Sequence, residues 1–147
     1  MQSHHPLESH AVWGDIYRQN MKTLAAIKDR IRTVKPESEV VPGIAAIATP
    51  GHTSLQIASG SNQLLCTANV VESRAVSFGH PDWHGQFDLD LDQGAKTRRA
   101  FLDRCASEKV TVSSYHLPFP GIGHVVRTGT AFNWLPSDWR WEGVSPT

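Results

Sequence analysis

Eight histidines and two cysteines are the side chains of this 147-residue sequence best suited to binding a metal or moving a proton. Ligands work best where a rigid strand passes into a loop, which fixes the imidazole and leaves it accessible. Two histidines have that setting. His52 follows an apolar run ending at Ala48 and lies inside Thr49-Pro50-Gly51-His52-Thr53. His116 follows the β-branched run Val110–Tyr115 and opens the loop Leu117-Pro118-Phe119-Pro120-Gly121-Ile122-Gly123-His124. On spacing alone, a ligand role and a hydrogen-bonded loop role are equally open. His80 and His84 have the i, i+4 spacing that holds a metal on a helix, but Gly79, Pro81 and Gly85 argue against a helix there. His4, His5 and His10 sit in an irregular polar lead-in.

Other chemistries find less support. Cys66 and Cys105 form no CxxC, which speaks against a disulfide framework and a zinc ribbon. Cys66 lies in an apolar strand and reads as an inert, buried thiol. There is no Gly-x-Ser-x-Gly elbow, Walker loop or Gly-x-Gly-x-x-Gly sequence. Trp134, Trp139 and Trp141 read as packing residues that close a core.

The elements that must position these residues are legible from periodicity. From Trp13 to Val34, apolar residues recur every three or four positions, which predicts an amphipathic helix ending before Pro36. Glu39–Val41 and Ile44–Ala48 flank a Pro-Gly turn as two short strands. Ser54–Ala58 and Gln63–Thr67 flank Ser59-Gly60-Ser61-Asn62, a hairpin signal. Residues 72–88 show no regular period and read as a loop. Asp90 or Asp92 caps a second helix whose apolar face runs through Ala95, Phe101 or Leu102, and Cys105 or Ala106. A strand at Val110–Tyr115 and a last strand pair through Val125, Val126, Ala131, Phe132 and Trp134 complete the order. The expected fold is α/β in layers, with a mixed, mostly antiparallel sheet and two main helices. The expected organisation is a lead-in at 1–12, one domain at 13–141 and a tail at 142–147.

Lys and Arg total 14, as do Asp and Glu, so the chain has no electrostatic excess to attract phosphates or anionic lipids, and neither nucleic acid nor a membrane surface is the expected partner. No apolar run approaches the ~18–20 residues of a membrane span. No signal peptide is visible, so the default compartment is cytoplasmic.

Thr49-Pro50-Gly51-His52-Thr53 resembles the TPGHT segment of metallo-β-lactamase-fold hydrolases. Leu64–Val71 resembles the strand that ends in their metal-bridging aspartate. Tyr115–Val125 resembles the last-ligand segment of the branch that includes methyl parathion hydrolase, and the helix at 93–107, with Thr97-Arg98-Arg99, fits that branch as well. The match covers roughly residues 37–140, with three motifs in order. The resemblance implies an αββα sandwich of which this chain is the C-terminal half, and two zinc ions. It implies that His52 is a ligand of the first zinc and His116 of the second. Two departures accompany it. The family's HxHxDH motif has no counterpart, and Asn69 holds the bridging-aspartate position. A neutral amide lacks the charge and the paired anionic oxygens of a carboxylate bridge.

The resulting expectation is a metal-dependent hydrolase of the ester, lactone or phosphotriester class, acting on a small ester-like substrate. It is truncated and inactive as this single chain, with no catalytic residue assigned. One face of the sheet should lack its partner layer, a lack that a homodimer or a separate N-terminal half would answer. The alternative is a noncatalytic remnant or interaction module with vestigial histidines. A metal site rebuilt from His80, Asp82, His84 and His116 is a third arrangement.

Overall fold

The computed structural model describes residues 13–138 apart from 53, 86, 87 and 89. The expected lead-in and tail, His4, His5, His10, Trp139 and Trp141 therefore lie outside the described residues. The chain forms two compact units, Met1–Thr33 and Val34–Thr147.

In the first unit, helix α1 spans Gly14–Ile27 and passes through a 3-10 turn, Lys28–Arg30, into extended backbone at Ile31. The periodicity predicted a helix as far as Val34. Residues 28–34 are all exposed, so no burial offsets the χ1 restriction that Ile31, Thr33 and Val34 would suffer in a helix. Of the expected apolar positions Trp13, Ile16, Tyr17, Met21, Leu24, Ile27 and Ile31, Trp13 and Tyr17 are half-buried and the rest are exposed.

The second unit is a seven-stranded mixed sheet in simple chain order. Its strands are β1 (Glu39–Val41), β2 (Ile44–Ile47), β3 (Ser54–Ser59), β4 (Asn62–Cys66), β5 (Thr111–Ser113), β6 (Ile122–Thr128) and β7 (Ala131–Pro136). All neighbours pair antiparallel except β4 and β5, which run parallel. A parallel pair needs a long crossover, and here it holds helix α2, Leu91–Glu108. The β3–β4 hairpin closes tightly, with Ser59 paired to Asn62. Residues 72–88, read as a loop from sequence, contain one π-helical turn, Arg74–Phe78. A five-residue turn is too short to leave a period in the sequence. It is anchored by burial of Ser77 and Phe78 and by the Ser77 hydroxyl, which accepts the N–H groups of Glu72 and Ser73.

Side chains alternate across a strand, so the register divides the sheet into two faces. One face carries Leu65, Val112, Val125, Phe132 and Trp134, which form a single core with Phe101, Leu102 and Cys105 of α2. The opposite face carries Ile44, Leu55, Ile57, Leu64, Cys66 and Ile122, all half-buried, and Leu135, which is exposed. None of these residues, nor the intervening Ala46, Thr111, Ser113, His124, Val126 and Asn133, is Asp, Glu, Lys or Arg. No helix among the described residues is long and apolar enough to cross a membrane.

Candidate functional site

The segment 49–52 is built by its own residue types. Pro50 presets φ at the second position of a turn, and Gly51 supplies the positive φ, +90°, that the third requires. The His52 N–H closes the turn on the Thr49 carbonyl at 2.8 Å. Thr49 Oγ1 donates to the His52 carbonyl at 3.1 Å and accepts the Ser54 N–H at 3.1 Å, which joins the turn to β3. From α2, Thr97 Oγ1 donates to the Pro50 carbonyl at 3.1 Å.

The turn aims His52 inward. Its imidazole is 6% exposed, and Nε2 lies 2.8 Å from Oδ1 of Asp88, whose side chain is wholly buried. The other carboxylate oxygen accepts Arg98 Nη2 at 2.9 Å and the Gly85 N–H at 3.0 Å. Arg98 is buried too. Its Nε donates to the Val70 carbonyl at 3.1 Å, and Nη1 donates to those of Pro81 at 3.2 Å and Trp83 at 2.7 Å. Burial by itself would raise the Asp88 carboxyl, but the hydrogen bonds from His52, Gly85 and Arg98, with the Arg98 charge, outweigh it and hold the group below the usual carboxylate range. The space is made by Gly94. A Cβ there would stand 2.3 Å from the Asp88 carboxyl carbon. Sequence reasoning did not find Asp88 or assign a role to Arg98. The signals present were a glycine inside a helix pattern and an arginine four residues further along the same helix face.

Asn69 and His116 meet at a second place. Asn69 sits in a 3-10 turn, Ala68–Val70, directly after β4. His116 sits in a loop after β5 that is closed by the Ser114 N–H on the Gly121 carbonyl at 2.8 Å. Asn69 Oδ1 accepts His116 Nε2 at 3.0 Å and also the Tyr115 hydroxyl. The Tyr115 and His116 rings lie against each other at 4.3 Å between centroids. All three residues are exposed. Beside them an open cleft of about 600 Å³ is lined by Leu55, Cys66, Ser113, Leu117 and Phe119, among others.

The remaining sequence candidates are held separately. Residues 80–84 form a turn rather than a helix. There His80 stacks on Trp83 with ring centroids 4.0 Å apart, and His84 pairs with Asp92 at 3.1 Å. Asp82 makes a two-point ion pair with Arg99, with Nε at 2.6 Å. Among the described residues, no three His, Cys, Asp or Glu side chains come together as a metal site would need. The carboxamide at Asn69 is neutral and already accepts two donors. The residues present therefore do not fit a two-metal centre.

No protein-family model matches the sequence, and no curated protein matches it. Several solved structures match the fold, among them two hydrolases. One is AidC, a dizinc quorum-quenching lactonase solved in complex with a product, with a TM-score of 0.82 and 27% identity over 91% of this chain and 47% of that one. The other is AbOPH, a hydrolase in the β-lactamase superfamily, with a TM-score of 0.77 and 24% identity over 92% of this chain and 48% of that one. The chain spans about half the length of either. Its α/β fold is that of metallo-β-lactamase-superfamily hydrolases.

Proposed function

We propose that this chain supplies one half of a metallo-β-lactamase-fold hydrolase acting on an ester, lactone or phosphotriester bond, and that by itself it is inactive. Asn69 carries the reading. It stands where the resemblance expects a bridging carboxylate, and its amide oxygen is occupied by Tyr115 and His116. The dizinc lactonase among the neighbours, about twice as long as the matched region, supports zinc as the metal of a completed site. The segment 115–125 favours the branch resembling methyl parathion hydrolase.

On this reading His116 is a retained ligand, Asn69 stands in place of a lost one, and the missing ligands come from a preceding half or a partner chain. The charge-free, half-buried face of the sheet favours a second reading, an interaction module without catalysis, and it is the surface on which a homodimer or a complementary half would sit. The test is metal analysis of the purified chain after incubation with zinc, together with assays on a lactone and an aryl ester. The expected result is no stoichiometric zinc and no hydrolysis above background. Stoichiometric zinc with turnover that disappears in His116→Ala overturns the proposal.

A further inference from the structure

The strand register gathers the apolar residues of the charge-free face into two adjoining rows. Ile44, Ile57 and Leu64 stand side by side on β2, β3 and β4, and Leu55, Cys66 and Ile122 belong to the next row. All six are half-buried. Helix α2 packs on the other face, so among the described residues of this unit the rows lack the second layer that a sheet's apolar side needs. With strands about 4.8 Å apart and about 3.3 Å of rise per residue, seven strands averaging about five residues outline about 500 Å². Two such faces in contact remove at least about 1,000 Å² from water, the lower bound for a specific interface. A face without Asp, Glu, Lys or Arg has no sign by which to select a different partner. It also has no like-charge pair to oppose its own copy, and a two-fold axis sets the same patch on both sides.

We propose that a second copy of this chain covers that face. The two sheets stack about a two-fold axis, about 10 Å apart, with α2 of each copy outermost. The contact reaches the polar cluster as well. Leu55, Cys66 and Ser113 belong both to the face and to the cleft beside Asn69 and His116, so the partner copy walls a cleft that is open in one chain. The inference rests on the reading of this chain as half of a layered fold, yet the two fail separately. Zinc with turnover in a dimer sinks the claim of inactivity and leaves the interface standing, and an inactive monomer does the reverse.

The test is sedimentation equilibrium of the full chain from micromolar to submillimolar concentration. Wild type should approach twice the 16.2 kDa of one chain. Ile57→Lys should weaken association at least about tenfold, because it sets two like charges in the buried contact. Lys96→Glu, on the exposed side of α2, should leave it unchanged. A monomer at every concentration, open-ended aggregation, or a dimer that Ile57→Lys leaves intact overturns the proposal. If Ile57→Lys fails to fold, thiol labelling of Cys66 in wild type decides. Its rate should fall severalfold from dilute to concentrated protein. A rate that does not depend on concentration, whether fast or slow, refutes the dimer.

Discussion

Glycine in a helix interior costs about 1 kcal/mol relative to alanine, and α2 carries one at position 94 because the Asp88 carboxylate lies against its Cα. Gly94→Ala sets that propensity gain against displacement of a buried, paired carboxylate, which costs about 3–5 kcal/mol. The second effect wins. Urea unfolding should show a net loss of about 2–4 kcal/mol, the opposite sign from an ordinary Gly→Ala change in a helix. The two thiols make a second residue-scale comparison. Burial pushes Cys105 up to about 12, and Cys66, half-buried on the sheet, is raised by burial too. Since the thiolate is the reactive form, a disulfide reagent at pH 8 should modify Cys66 slowly in the native protein and Cys105 only on unfolding. Rapid labelling of both would mean that the α2–sheet core opens readily.

At the scale of elements, the local cues and the contacts that place them differ in legibility. A cap at Asp90 or Asp92 was readable from their position before a periodic run, and the structure selects Asp90, whose Oδ1 accepts the Gln93 N–H at 3.0 Å. The turn 49–52 was readable because proline and glycine dictate their own dihedrals. What holds α2 to its surroundings was not readable. Arg99 bonds Asp82 and also the Thr130 carbonyl at 3.2 Å, so one side chain ties the loop at 80–84 and the β6–β7 turn to the helix. The hydrogen bond from Arg99 holds the Asp82 carboxyl below its ordinary value. A carboxyl lowered in the folded state stabilises above its unfolded value, near 3.9, and loses that contribution as pH falls through the folded one. Asp82→Asn should therefore cost about 1 kcal/mol or less at pH 7, as exposed pairs do. Its difference from wild type should vanish as the pH is taken well below 4. A difference that persists in acid would mean that packing, not charge, is what Asp82 contributes.

For the whole molecule, the two faces of the sheet set the energetic expectations. Leu102 of α2 is fully buried against the sheet, whereas Ile57 is half-buried on the charge-free face. Leu102→Ala should cost about 2–5 kcal/mol, and Ile57→Thr less than about 1 kcal/mol in urea unfolding of the dilute chain. If Ile57→Thr costs as much as Leu102→Ala, and the cost grows with protein concentration, then copies of the chain cover that face for one another.

The sequence by itself determined the strand pairs, the turn at 49–52, the start of α2 and the layered α/β class, because each follows from residues within a few positions of one another. Only the tertiary structure decided which groups meet. His52 and Asp88 lie 36 positions apart and Asp88 and Arg98 lie 10 apart, on a turn, a loop and a helix. No periodicity records such a pairing. It exists because a buried guanidinium, a buried carboxylate and a buried imidazole each need a partner once the sheet and α2 have removed the water.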